Sequence, residues 1–251
     1  MAIESARQRR VLITGANRGI GLTLAKHYNA TGWNVVAAVR NPAAASEVHA
    51  CILTILDVSL QLHALQVESI LTLDVSNEES IHAAACTLGA DVPIDLLINN
   101  AGVLTRDSLA SATKAELLRQ FEINAVGPFL VARAFLPNLE LAVATSVRPP
   151  ILANVSSIVG SMSLNTTGQN YGYRSSKAAL NSLTKSLSVD LGARGICCLL
   201  LHPGYVQTDM TDHRGDMDVH ESIAGLAAVL AKATFDDNGT FFHTNGSVIP
   251  W

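Results

Sequence analysis

Within the stretch YGYRSSK, residues 171–177, Tyr173 and Lys177 stand four positions apart, with Tyr171 two places upstream. At about 100° per residue, positions four apart in a helix differ by roughly 40° and share a face. Leu180, Leu187 and Leu191 fall on that same side, so the pattern turns it toward a sheet. Tyr171 projects to nearly the opposite side and reads as an aromatic that packs its loop or lines a pocket. The chemistry open to a Tyr–Lys pair is proton transfer. A free phenol titrates near pH 10, about three units too weak an acid for ready exchange at neutral pH. A neighbouring ammonium favours the phenolate, so the expectation is a lowered Tyr173 pKa. Each unit of lowering requires about 1.4 kcal/mol, which implies a poorly hydrated site. A serine hydroxyl can stabilise an oxygen as charge grows on it, and NVSSIVG offers Ser156 and Ser157. Successive strand residues face opposite sides, so only one of the two can serve.

A second constellation is TGANRGIG, residues 14–21, between an apolar strand and a helix beginning near Ile20. Gly15, Gly19 and Gly21 are spaced G-x-x-x-G-x-G. They permit a tight strand-to-helix turn and remove the Cβ atoms that would bar a pyrophosphate, while the helix N-terminus supplies N–H groups and a positive dipole end. The first βα turn is where a dinucleotide fingerprint belongs. Gly15, Asn17, Arg18, Gly19, Ile20 and Gly21 are therefore cofactor-binding candidates. The second strand, VVAAVRNP, ends in Arg40 with no carboxylate nearby, which suits a 2′-phosphate better than a free 2′-hydroxyl. Arg18 can approach the same phosphate, giving two guanidiniums around one dianion. NADP(H) is the expected cofactor.

Positioning these groups requires a scaffold. Val11–Thr14, Val35–Val39, Ile70–Asp74, Leu96–Asn99, Ile151–Ser156 and Ile196–Leu201 have strand character. Gly21–Thr31, Glu78–Leu88, Thr113–Phe121, Ala125–Leu136 and Ser175–Leu191 carry helical spacing. The alternation predicts an α/β fold, a doubly wound parallel sheet with helices on both faces and its ligand sites beyond the carboxyl ends of the strands. One region breaks the rhythm: ILTILDVS at 52–59 is nearly repeated by ILTLDVS at 70–76. The second copy is expected to be the strand, because the helix start Asn77-Glu78-Glu79 follows it. The segment Ile52–Gln66 has no functional reading.

The glycine loop, NNAG at Asn99–Gly102, Asn124 in FEINAVGPF, Ser157, YRSSK and PGYVQT at Pro203–Thr208 occur in one order across essentially the whole chain. Together they resemble the short-chain dehydrogenase/reductase family, and RSSKAALNSLTKSLSVDL, HPGYVQTDM and GTFFHTNGSVIPW resemble its C-factor-like and sniffer-like carbonyl reductases, and some aromatic-polyketide ketoreductases. The resemblance implies a single Rossmann-type domain, 1–251, holding both cofactor and substrate. It implies Ser157, Tyr173, Lys177 and Asn124 as catalytic residues, with Asn124 distorting its helix and holding a water that connects Lys177 to solvent. Gly160, three residues on, favours Ser157 over Ser156. Asp74 and Val75 would hold the adenine, and Asn100, Ala101 and Gly102 the adenosine side. Lys177 would bond the nicotinamide ribose, and Pro203, Gly204, Val206 and Thr208 would wrap the nicotinamide. The implied reaction is reduction of an aldehyde or ketone, hydride coming from nicotinamide C4 and the proton from Tyr173. A cofactor-binding sensor of the same fold without turnover is the alternative. Two departures mark this chain: a long stretch between Arg40 and Asp74, and a long gap from Ser157 to Tyr173 that makes the loop Ser161–Asn170 distinctive.

Bulk properties narrow the other classes. The chain has 251 residues, 49% hydrophobic and 15% charged, with a net charge of −4, and no linker divides it. No basic face suggests nucleic acid, and no apolar run is long enough for a bilayer. The charged MAIESARQRR start fails as a signal peptide, so a cytoplasmic protein is expected. Cys51, Cys86, Cys197 and Cys198 lack C-x-x-C spacing and read as reduced thiols. The histidines include no H-E-x-x-H, so no metal is expected. Ser182-Leu-Thr-Lys185 matches S-x-x-K, but without S-D-N or K-T-G it reads as a solvated helix face. The expected partner is a small carbonyl compound. A homodimer or homotetramer are the candidate assemblies, with nothing in the sequence to select one. Asp209–Glu221 is short and polar, which points to an open pocket.

Overall fold

Strands that carry apolar residues at every position have no side for water and must be buried on both faces. The computed structural model, which describes residues 7–42, 62 and 65–251, shows this. β1 (Arg10–Thr14), β2 (Asn34–Val39), β3 (Ser69–Thr72), β4 (Leu96–Asn99), β5 (Ile151–Val155), β6 (Cys197–His202) and β7 (Phe241–His243) form one sheet, in the order β3-β2-β1-β4-β5-β6-β7. Every pairing is parallel. The helices are α1 (Gly19–Ala30), α2 (Glu78–Leu88), α3 (Lys114–Phe121), α4 (Gly127–Ala134), α5 (Leu136–Thr145), α6 (Tyr171–Gly192) and α7 (Val219–Lys232).

The period-two alternation divides each strand between two cores. Val11, Ile13, Val35, Ala37, Leu96, Ile98, Leu199 and Leu201 pack against α1 and α7 through Leu24, Tyr28, Leu226 and Leu230. Leu12, Val36, Leu97, Leu152 and Cys198 pack on the other face, against Ile81 of α2, Val131 of α4, Leu139 of α5 and Leu191 of α6. The order of strands reverses between β1 and β4. That switch point opens a crevice at the carboxyl ends of the strands, where the glycine loop and NNAG both emerge.

The second near-repeat forms β3, as its following helix start predicts: the Asn77 side chain accepts from the Ser80 amide and caps α2. The first copy, at 52–59, lies outside the described residues. Four elements differ from the expectation. α5, α7 and β7 are additional. The helix expected over Ala125–Leu136 is instead a π-helical turn (Glu122–Val126) leading into α4, which ends where Phe135 leaves helical geometry. Lys185 and Ser182 lie exposed on α6, as a solvated face. Among the described residues no single helix is long and apolar enough to cross a membrane.

The amino end of the sheet is held by Asp95, which is 2% exposed. Arg7 donates to both its oxygens at 2.8 Å, the Arg10 amide donates at 2.7 Å, and Ser146 adds a fourth bond. Burial alone would raise this carboxyl, but the bonds from Arg7, Ser146 and the Arg10 amide outweigh it and hold the group below its ordinary value of 3.8. A depressed carboxyl stabilises the fold above its unfolded pKa, and that stabilisation is lost as pH falls through the folded value. Asp95→Asn should therefore lose about 1.5–3 kcal/mol in urea melts at neutral pH, the range for bonds to a charged group. The gap to wild type should close below the ordinary carboxylate range. A gap that stays constant down to acid pH would remove Asp95 from this role.

Candidate active site

α6 begins at Tyr171, earlier than the apolar spacing suggested, and places Tyr173 in its first turn with Lys177 one turn later. Lys177 is 4% exposed, and its Nζ lies 5.7 Å from the centre of the Tyr173 ring while donating to the Val155 carbonyl at 2.8 Å. Val155 ends β5, so the ammonium is pinned to the carboxyl edge of the sheet. The face reading holds: Leu180 and Leu191 are buried, and Leu187 packs against the core. Tyr171 is 41% exposed.

Charge and hydration do not follow the sequence expectation. Burial pushes the Tyr173 phenol up to about 12, against a smaller opposing effect of a hydrogen bond with Ser157. Burial also pushes Lys177 down to about 8. The cation was expected to lower the phenol. In this structure its ammonium is turned to Val155, and withdrawal of water from the ring wins. At neutral pH Tyr173 is an intact acid and Lys177 still mostly charged.

The two serines separate cleanly. The Ser156 hydroxyl donates to Asn181 Oδ1 at 2.6 Å and is buried, so it fastens β5 to α6. Ser157, half-buried just beyond β5, faces Tyr173. Asn124 sits in the π-helical turn with no exposure; its amide brackets Val103, accepting from the Val103 amide and donating to its carbonyl, both at 2.8 Å. The same Nδ2 donates to Ser176 Oγ at 3.0 Å. The extra residue of a π turn re-aims a side chain, and here it aims Asn124 at the segment after NNAG.

Beside this cluster lies the glycine loop. Gly15 and Gly19 adopt φ of 65° and 50°, conformations that disfavour side chains. The Arg18 side chain does not cap α1, and no acidic residue occupies the first turn, so the helix end is electrostatically open to an anion. Asn100 braces the loop: its amide and that of Ala101 donate to Thr14 Oγ1 at 3.0 and 3.1 Å, and its Nδ2 donates to the Thr14 carbonyl at 3.0 Å. A Cβ on Gly19 would stand 3.5 Å from Thr208 Cγ2, so the loop and the segment after β6 line one cleft. That segment holds Pro203, Gly204, Val206 and Thr208, with Val206 bridged to Met217. Gly102 lies at the junction, where a Cβ would be 3.1 Å from Asn124 Oδ1 and 3.7 Å from Lys177 Nζ. These groups line a cleft whose glycine turn and open helix end fit a dinucleotide.

At the adenosine end the arrangement is less uniform. Val75 is buried, and Asp74 accepts from the Ser76 amide and hydroxyl at 2.9 and 2.7 Å. Arg40 is exposed directly after β2. Arg18 does not point to a common anion with it: its guanidinium lies 3.6 Å from Asp209, in an exposed cluster that also includes His213. A phosphate would have to draw Arg18 from Asp209, a small cost for so exposed a pair. Two buried polar residues escaped sequence reasoning. Asp107 and Gln120 are 8% and 0% exposed and meet the start of α6 from a distant part of the chain, where no local periodicity marks them.

Residues 9–218 match the model of the short chain dehydrogenase family. The C-signal protein of Myxococcus xanthus is 41% identical over 160 residues, covering 63% of this chain and 93% of that protein. Among solved structures, an NADPH-bound carbonyl reductase from chicken fatty liver superposes with a TM-score of 0.87 at 34% identity, covering 98% of this chain and 100% of that one. Carbonyl reductase Sniffer of D. melanogaster does so with a TM-score of 0.84 at 33% identity and the same coverage.

Proposed function

The chain belongs to the short-chain dehydrogenase family, and from that premise we propose that it is an NADPH-dependent oxidoreductase reducing an aldehyde or ketone to an alcohol. The observation that carries the reading is the meeting of Ser157, Tyr173 and Lys177 at the carboxyl edge of β5, beside an open glycine cradle. The NADPH-bound state of the chicken carbonyl reductase supports the choice of cofactor, as does Arg40 with no acidic residue after β2.

In this reading Gly15, Gly19, Gly21 and the first turn of α1 receive the pyrophosphate, and Arg40 the 2′-phosphate. The cofactor supplies hydride from C4 of its nicotinamide. Tyr173 gives its proton to the carbonyl oxygen as general acid, and its raised pKa keeps that proton in place at neutral pH. Ser157 donates to the same oxygen as negative charge grows there. Lys177, held by its bond to the Val155 carbonyl with Nζ 5.7 Å from the Tyr173 ring, keeps a positive charge at the edge of the site that partly offsets the burial cost of the phenolate left behind. Asn124 holds the Val103 backbone and Ser176, and so keeps the wall of the cleft in register with α6.

The test is NADPH consumption over a panel of aldehydes, diketones and quinones, with NADH in parallel. Turnover with NADPH at least tenfold more efficient than with NADH is expected, narrowing in Arg40→Asp. Absence of turnover on the whole panel alongside tight NADPH binding would instead favour a sensor without catalysis, a reading for which the C-signal relative is the supporting observation.

A further inference from the structure

The helix that carries Tyr173 has no side-chain cap from the residue at its own capping position. Asn170, at the capping position, has φ 49° and makes no side-chain bond to the first turn. It ends a run of three left-handed residues, Gly168, Gln169 and Asn170. The N–H groups exposed by this approach are taken by Asp107, far upstream in sequence: Oδ1 accepts from Tyr171 at 2.5 Å and Oδ2 from Gly172 at 3.1 Å. The Asp107 carbonyl also accepts from the Asn170 amide at 2.9 Å. Both carboxylate oxygens and the backbone of one residue thus hold three consecutive amides immediately before Tyr173.

We propose that Asp107 is a positioning residue for Tyr173, clamping the first turn of α6 so that the phenol is presented at one fixed height over the cleft. The proposal rests on the carbonyl-reductase reading above. Close packing supports it. A Cβ on Gly172 would lie 2.4 Å from Gln120 Nε2 and 3.3 Å from Asp107 Oδ2, so the helix end is pressed against this segment. Gln120 secures the segment in turn, accepting from the Thr105 amide at 3.0 Å and donating to the Thr105 carbonyl at 3.3 Å. On the far side of Tyr173, the Ser176 hydroxyl donates to the Tyr173 carbonyl at 2.8 Å and accepts from Asn124. Tyr173 therefore stands between two tethers that both originate outside its helix. Arg106, next in sequence, pairs with Asp212 at 2.7 Å, so the same segment also reaches the loop after β6.

A carboxylate is required because two N–H donors need two acceptors. An asparagine of the same size offers one oxygen and would set an NH2 against the other donor. The experiment is Asp107→Asn, followed by amide hydrogen exchange and by steady-state kinetics. Exchange at Tyr171 and Gly172 should quicken while the middle of α6 stays protected. The kcat for carbonyl reduction should fall about tenfold to 100-fold, as for a small misplacement of a reacting group, with the KM for NADPH unchanged. Amides that remain protected would overturn the proposal. So would faster exchange without loss of kcat, or a loss of kcat matched by loss of NADPH binding. If Asp107→Asn does not fold, Asp107→Glu keeps the charge on a longer arm and should show the same kcat-only loss; wild-type kcat there would equally overturn the proposal. A wild-type protein with no carbonyl turnover would refute the functional reading instead, and hydrogen exchange would then decide the clamp alone.

Discussion

Tyr173→Phe is expected to lower kcat for carbonyl reduction by about 10²–10⁴-fold, the usual contribution of a positioned general acid. The substitution removes one oxygen and leaves the ring to fill its place beside Lys177, so the melting temperature and NADPH affinity should hardly move. Among the described residues, the neighbouring donors are engaged elsewhere. The Lys177 ammonium is committed to the Val155 carbonyl, and Ser156 to Asn181. Ser157 faces the same space, and a serine hydroxyl is a far weaker acid than a phenol. The pH profile provides a second readout. Lys177 is pushed down to about 8 by burial, so its charge is present below that pH and lost above it. Reduction by the wild type should therefore decline as pH rises through about 8, before the phenol, at about 12, begins to lose its own proton. Steady-state kinetics across this range check both parts. A Phe variant that turns over at the wild-type rate would remove Tyr173 from the chemistry.

Gly21→Ala is expected to weaken NADPH binding by about 100-fold or more, equivalent to about 2.8 kcal/mol at 1.4 kcal/mol per tenfold. A Cβ at this position would lie 2.1 Å from the Gly15 carbonyl oxygen and 2.6 Å from Asn100 Nδ2. Neither can yield alone, because Gly15 is bonded through its amide to the Ala38 carbonyl and Asn100 is bonded to Thr14. The added methyl group would displace the turn that would cradle the pyrophosphate, and the overpacking itself costs about 1–3 kcal/mol. Gly32→Ala separates crowding from backbone strain: Gly32 has φ +80° but no atom within 4 Å of its Cβ position. That control should lose some stability and keep wild-type affinity. NADPH titration and the NADPH-induced shift in melting temperature report the difference. Wild-type affinity in Gly21→Ala would show that the pyrophosphate binds elsewhere.

Much of the scaffold was legible because parallel strands buried on both faces leave continuous apolar runs, and six of the seven strands among the described residues have them. β7 is only three residues long, Phe241–His243, and a run so short carries no pattern of its own. α7 carries its own signal, Ile223, Leu226, Ala227 and Leu230 at helical spacing, although its first turn runs on from the polar stretch Asp209–Glu221. Its start is set by Asp218, whose side chain accepts from the His220 amide at 2.7 Å. The break between α4 and α5 escapes the apolar spacing, which passes through Phe135 undisturbed; its signal is Pro137, which stands in the first turn of α5 and cannot continue the preceding helix.

The sequence by itself determined that Tyr173 and Lys177 share a face, that three glycines occupy the first strand-to-helix turn, and that the sheet is parallel and doubly wound. These follow from spacing along the chain, which helix and strand geometry convert directly into direction. The tertiary structure decided the rest. It assigned Ser156 to Asn181 and turned Ser157 toward the phenol, and it paired Arg18 with Asp209. It pushed the Tyr173 pKa up where the spacing alone suggested down, and it brought Asp107 to the start of α6. Each of these depends on which distant groups displace water from a site and which hydrogen-bond partners remain, and neither quantity is written in the spacing of neighbouring residues.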